Sequence, residues 1–166
     1  METLPAIIDL EASGFGKGSY PIEVGFVLPD GGMFCTLIMP APHWRHWDPQ
    51  AENVHHITRE MLHSHGKDAA SVARSLNEQL HGRTIYSDGW AQDYTWLSLL
   101  FDEADMTPAF KLDNLRSLLT EVEADRWEHF KRMVLVQQQV PRHRASTDAR
   151  MLQLTLKRLR ENAGAA

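Results

Sequence analysis

Asp9 and Glu11 stand two residues apart, Asp93 follows in mid-chain, and His143 precedes Asp148 by five positions. Carboxylates gathered in one place repel one another, and hard divalent cations with oxygen ligands relieve that repulsion. Asp9 and Glu11 end an otherwise apolar stretch. The strand period of two puts both on one face, with Ile8 and Leu10 on the other. Such acids are costly to bury unless paired or bound to metal, whereas a strand that simply ends there leaves them solvated. Helical spacing places Leu97, Leu100 and Phe101 on the stripe that starts at Asp93, and Leu152, Leu156 and Leu159 on the stripe that starts at Asp148. An aspartate in a first helical turn also serves as a cap or dipole partner, and for either one alone that reading suffices. Two that both run along apolar stripes point instead to a shared metal site on the sheet. Histidine at position 143 suits proton abstraction from water near neutral pH. A surface-loop role is the alternative, since the chain has 9 histidines.

These residues need elements to hold them. Residues 4–10 read as a buried strand, a Gly-rich turn covers 14–19, and a second strand covers about 20–28. Pro29-Asp30-Gly31-Gly32 is a hairpin signal, and Met33 to Met39 forms the third strand of an antiparallel meander. Residues 40–68 are irregular, with a short helix at 58–63. A helix over 69–81 has Asp68 as its N-cap and is stopped by Gly82. Arg83 to Tyr86 is a short strand, 91–104 a helix, and 109–112 an extended piece. A longer helix over 113–137 ends at Pro141, and the last helix runs over 147–162. The order predicts an α/β fold: a mixed five-strand sheet, three strands in a meander and two parallel, with helices on both faces.

Asp9-Leu10-Glu11 fits the pattern D-x-E, and His143-Arg144-Ala145-Ser146-Thr147-Asp148-Ala149 fits H-R-A-x-x-D-A. With the Asp93 segment between them, the chain resembles the DEDDh 3′–5′ exonuclease superfamily. Its members include the proofreading exonucleases, ribonuclease T and oligoribonuclease. Pro21-Ile22-Glu23-Val24-Gly25 resembles the family's second strand, and Val54-His55-His56-Ile57-Thr58 its H-G-I-T segment. His56 replaces the glycine there, and Asp88-Gly89 replaces the His-Asn that opens the family's middle motif. The resemblance covers residues 4–160 and implies a ribonuclease H-like fold in a single exonuclease domain spanning 1–166. It also implies that Asp9, Glu11, Asp93 and Asp148 hold two Mg²⁺ or Mn²⁺ ions and that His143 acts as general base. Ala12, Ser13, His55 and Ile57 are then expected to cradle the terminal nucleotide. The implied activity is hydrolysis from the 3′ end of single-stranded DNA or RNA, releasing 5′-mononucleotides. A non-catalytic 3′-end-binding module, a polymerase-type partner and a homodimer are the alternatives on function and assembly.

Composition agrees. With 43% hydrophobic and 23% charged residues the 166-residue chain is an ordinary globular domain, not a disordered or collagenous one. The net charge of −5, from 17 basic and 22 acidic residues, argues against gripping long duplex DNA through many phosphates. It fits the holding of one end. A single cysteine, Cys35, allows no internal disulfide, no membrane-spanning run is present, and Met1 to Pro5 lacks a signal-peptide pattern. These features set the expectation of a cytoplasmic protein. His55, His56, His63 and His65 supply no tetrahedral zinc set with Cys35. Trp44-Arg45-His46-Trp47 is suited either to stacking on bases or to packing against its own domain or a partner, and packing or a partner is the expectation.

Overall fold

The chain begins with β1 (Ala6–Ala12), β2 (Pro21–Val27) and β3 (Met33–Leu37), followed by α1 (Pro49–His55), α2 (Arg59–His65) and α3 (Ala69–Leu80). Then come β4 (Thr84–Ser87), α4 (Trp90–Glu103), β5 (Lys111–Asn114), a 3-10 turn (Leu115–Leu118), α5 (Glu121–Gln138) and α6 (Ala145–Ala163). The computed structural model describes residues 3–138 and 143–163. The strands form one sheet in the order β3-β2-β1-β4-β5. β1 pairs antiparallel with β2 and parallel with β4, so it is the central strand at which the connections change direction. This is the mixed five-strand sheet that the element order predicts, and it agrees with the fold that the resemblance implies.

The alternation along β1 sorts side chains into two cores. Ile8 and Leu10 join Ile22, Val24 and Phe26 under Val72, Leu76, Leu97 and Leu100 of α3 and α4. Ile7 and Val27 face the other way, against Leu152, Leu156 and Leu159 of α6 and Trp127 and Phe130 of α5. Asp9 and Glu11 therefore share the α6 face, as their spacing requires.

Where the structure departs from the expected elements, local hydrogen bonds give the reason. β3 stops at Leu37 rather than Met39: the Ile38 amide still donates to the Ile22 carbonyl of β2 at 2.8 Å, but Ile38 also bridges Lys67, and the Met39 amide donates to the Lys67 carbonyl at 2.9 Å instead. The irregular stretch contains α1, which sequence reading did not find. Asp48 caps it by accepting from the Gln50 amide at 2.8 Å, and Pro49 takes its first position. The expected helix over 113–137 is instead a strand, a 3-10 turn and α5. A reciprocal cap sets the break: the Thr120 amide donates to Glu123 at 2.8 Å and the Glu123 amide to the Thr120 hydroxyl at 3.3 Å. Pro141, the expected end of that helix, lies outside the described residues. α3 is as expected, with Asp68 accepting from the Ser71 amide at 2.9 Å.

The Trp44–Trp47 segment packs on its own domain. Trp44 is buried and stacked on Tyr20 with ring centroids 5.4 Å apart. Trp47 donates from Nε1 to Glu52 at 2.7 Å and lies under the Arg59 guanidinium at 5.6 Å. Among the described residues, no helix is long and apolar enough to cross a membrane.

Candidate active site

The floor of the site is built where β1 and β2 meet the start of α6. Cross-strand register sets Asp9 opposite Gly25 and Glu11 opposite Glu23. The missing side chain at Gly25 is what admits α6. A Cβ there would fall 2.7 Å from the Ala145 carbonyl carbon and from Ser146 Cα, and closer still to the Ser146 amide nitrogen. The fully buried Glu23 then accepts from the Ala145 amide at 2.7 Å and pairs with the Arg144 guanidinium at 2.7 Å. This clamp anchors the first turn of α6 so that Asp148 reaches the Asp9–Glu11 face. Asp148 in turn accepts from the His143 amide at 3.1 Å, and His143 is held at φ 68°. Glu23 is thus a support for the site.

Asp93 arrives from the opposite layer. β1 and β4 pair only through Ala6 with Ile85 and Ile7 with Tyr86, after which the two strands part. The first turn of α4 fills that gap. Asp93 is 3% exposed and is held by the Ser87 hydroxyl and the Leu10 backbone amide. The strand reading that puts Asp9 and Glu11 on one face thus meets a helix from each layer at the carboxyl end of β1. Crevices at such points are where open α/β sheets bind ligands.

A cavity of about 430 Å³ opens over these groups. Asp9, Glu11, Asp93, Asp148 and His143 all line it, so the sequence-predicted metal ligands and base share one site. Ala12 and His55 line it too. Ser13 and Ile57, also expected at the terminal nucleotide, are buried away from it. The Ser13 hydroxyl is bonded to His46 Nδ1 at 3.0 Å and accepts from the Tyr20 amide at 3.1 Å. Ile57 lies in the core, and its amide donates to His55 Nδ1 at 3.0 Å, which leaves the proton on Nε2 of a neutral ring. Phe15, Val54, Gln92 and Trp96 complete the walls. Phe15 is 75% exposed and 6.1 Å from Trp96, ring to ring. It was legible as an aromatic inside a Gly-rich turn directly after the acids, which is an uncommon place for one.

Charge is concentrated here. Burial raises the Asp9 carboxyl well above the usual range, and Asp93, Glu11, Asp148 and Asp88 add to the rise. Glu11 is pushed up to about 7, first by burial, then by Asp148, Glu23 and Asp93, with Arg144 opposing. Burial also raises Asp93, against the bonds from Ser87 and Leu10. Burial lowers the His55 imidazole. A site whose acids hold protons for want of a counter-charge has the donor chemistry of a divalent-cation site. Donor atoms of Glu11, His143 and Asp148 lie within 4.8 Å of one another, so the residues fit such an ion. Asp88 does not line this cavity and pairs with Lys131 at 2.6 Å.

No family model matches the chain, and no curated protein matches it by sequence. Solved structures do. Exonuclease I from Methylocaldum szegediense superposes with a TM-score of 0.69 at 14% identity, over 93% of this chain and 39% of its own. E. coli exonuclease I in complex with a dA16 oligonucleotide gives 0.67 at 12% identity, over 95% of this chain and 40% of that one. The zinc-bound form of an E. coli exonuclease I complex with single-stranded DNA gives 0.59 at 14% identity, over 76% and 30%. The chain thus spans about two fifths or less of the structures it resembles. The likeness establishes the architecture: this chain adopts the ribonuclease H-like fold found in the exonuclease I structures.

Proposed function

We propose that the chain is a metal-dependent 3′–5′ exonuclease acting on single-stranded nucleic acid and releasing 5′-mononucleotides. The observation that carries this reading is the convergence of Asp9, Glu11, Asp93 and Asp148, from one strand and two helices, with His143 on one cavity. Oligonucleotides bound to the similar structures make single-stranded DNA the first substrate to test. The four carboxylates would hold two Mg²⁺ or Mn²⁺ ions. Such ions neutralise charge on the attacked phosphate and on the leaving oxygen. His143 takes a proton from the attacking water, whose oxygen bonds to phosphorus as the bond from phosphorus to the 3′-oxygen breaks. The released 3′-oxygen is then protonated. Ala12 and His55 border the terminal sugar, and the exposed face of Phe15 offers a stacking surface for the base.

A 5′-labelled single strand incubated with Mg²⁺ should shorten stepwise from its 3′ end. His143→Ala should slow this by about 10²–10⁴-fold while Mn²⁺ binding is retained. Retention of the strand without shortening makes the chain a binding module. Loss of Mn²⁺ affinity in the variant makes His143 a ligand beside Glu11 and Asp148 rather than the base.

A further inference from the structure

Among the described residues that line the main cavity there is no lysine or arginine, although the substrate proposed for it is a polyanion. A second cavity, of about 180 Å³, opens on the other side of the carboxylates. Asp9, Gly89 and Asp148 line both, so the two are the two sides of one acidic centre. Lys131 of α5 lines the second cavity, with Asp88 from the β4–α4 turn across from it. Its Nζ lies 2.6 Å from Asp88 Oδ2, and the two side chains are 28% and 32% exposed. A partly exposed ion pair of this kind is held weakly, because water and salt compete for both partners.

We propose that Lys131 binds the phosphodiester next upstream of the scissile one, exchanging Asp88 for the substrate phosphate. The proposal rests on the exonuclease reading of the same site. A terminal nucleotide in the large cavity places its own phosphate at the carboxylates. The strand must then leave across Asp9 and Asp148, and the second cavity is the space on that side. A lysine on a flexible stem suits a phosphate whose position shifts as the strand advances by one nucleotide. Asp88 keeps the ammonium aimed at the cavity in the free protein.

The test uses the full chain with His143→Ala to prevent cleavage, in Mg²⁺, with a labelled single-stranded oligonucleotide and with a 5′-mononucleotide. Lys131→Met should weaken oligonucleotide binding about tenfold or more, as for loss of a charged hydrogen bond. The slope of log affinity against log salt should fall by about 0.7, the value for one phosphate on a single strand. Mononucleotide binding and Mn²⁺ affinity should not change. Lys131→Arg should retain affinity, and Asp88→Asn should tighten oligonucleotide binding by removing the competitor. Unchanged affinity and slope in Lys131→Met, with wild-type cleavage intact, overturn this proposal alone. So does equal loss of melting temperature in Lys131→Met and Asp88→Asn with binding unaffected, which marks a structural ion pair. A gain in Mn²⁺ affinity in place of the binding loss marks Lys131 as a mere counter-ion and also overturns it. A wild-type chain that neither shortens nor binds the oligonucleotide overturns both readings.

Discussion

Two helices each deliver one aspartate to β1, and they are held in place by opposite means. α4 starts at Gly89 with no side-chain cap, and its position is tied by the aspartate itself, through Ser87 and Leu10. α6 is tied by residues that are not its acid: Gly25 makes room, and Glu23 grips the Ala145 amide and the Arg144 guanidinium. Asp148 sits half-buried at the mouth and accepts from the His143 amide. Asp93 is thus a fixed point of the floor, whereas Asp148 and His143 form a unit positioned from β2. Changes on β2 should move that unit and leave Asp93 where it is.

The comparison breaks most visibly when one acid is neutralised. Asp148→Asn or Asp9→Asn should cost far more than tenfold in hydrolysis, where each tenfold is about 1.4 kcal/mol of barrier. Both should raise stability without metal, because they remove one of several mutually repelling charges. The sign of the pH dependence follows. With Glu11 raised to about 7 from 4.5, and Asp9 and Asp93 also raised, the folded chain binds more protons than the unfolded chain between those limits. Stability then falls as pH rises through that window. Melts in EDTA from pH 5 to pH 8 should show this fall, and Mn²⁺ should reverse it at the upper end. A flat or rising profile contradicts the raised carboxyls.

The acid floor was legible in the sequence because regular elements make it. Period two put Asp9 and Glu11 together, and apolar stripes aimed Asp93 and Asp148 at the same sheet. The wall was less legible because irregular backbone makes it. Asp48-Pro49 is an N-cap followed by a proline at the first helical position, a local signal for α1 set just after the aromatic run Trp44–Trp47. Thr120 and Glu123 likewise announce α5 through a capping box. Ser13 and Ile57 follow the order of family motifs, yet order says nothing of which way a side chain turns beside a register shift such as the one between Glu11 and Ala12. The role of Gly25 was out of reach for a different reason. Its importance lies in a backbone 120 residues away in sequence, which only tertiary packing brings close (Gly25 to Ala145).

Gly25→Ala is therefore the sharper probe of the α6 anchor. The added methyl meets backbone, not a movable side chain, so α6 itself must shift. Overpacking of this kind costs about 1–3 kcal/mol. Activity should fall more steeply than stability explains, since Asp148 and His143 move together. Hydrogen exchange should show lost protection at 145–149 with the first turn of α4 unchanged. Equal loss at both helix starts would mean that the two are not independently held.

The smallest effect is expected at the wall. α1 presents Ala51, Val54 and His55 to the cavity and ends at His56, whose φ of 57° and ψ of 25° are left-handed. A residue with a Cβ is strained there by about 1–2 kcal/mol. Glycine removes the strain but adds about 0.5–1 kcal/mol of chain entropy to be lost on folding. The imidazole of His56 is exposed, so little burial is lost in the exchange. His56→Gly should then stabilise the fold by about 0.5–1 kcal/mol, a rise of about 1–4 °C in Tm for a chain of this size. The catalytic rate at saturating substrate should stay as it is, because the floor does not depend on the end of α1. A lower Tm would mean that the imidazole holds the wall through contacts of its own. A higher Tm with a changed rate would mean that wall and floor are coupled, so that the separation drawn between them fails at His55, a wall residue whose ring lies against the backbone of Ala12 in β1.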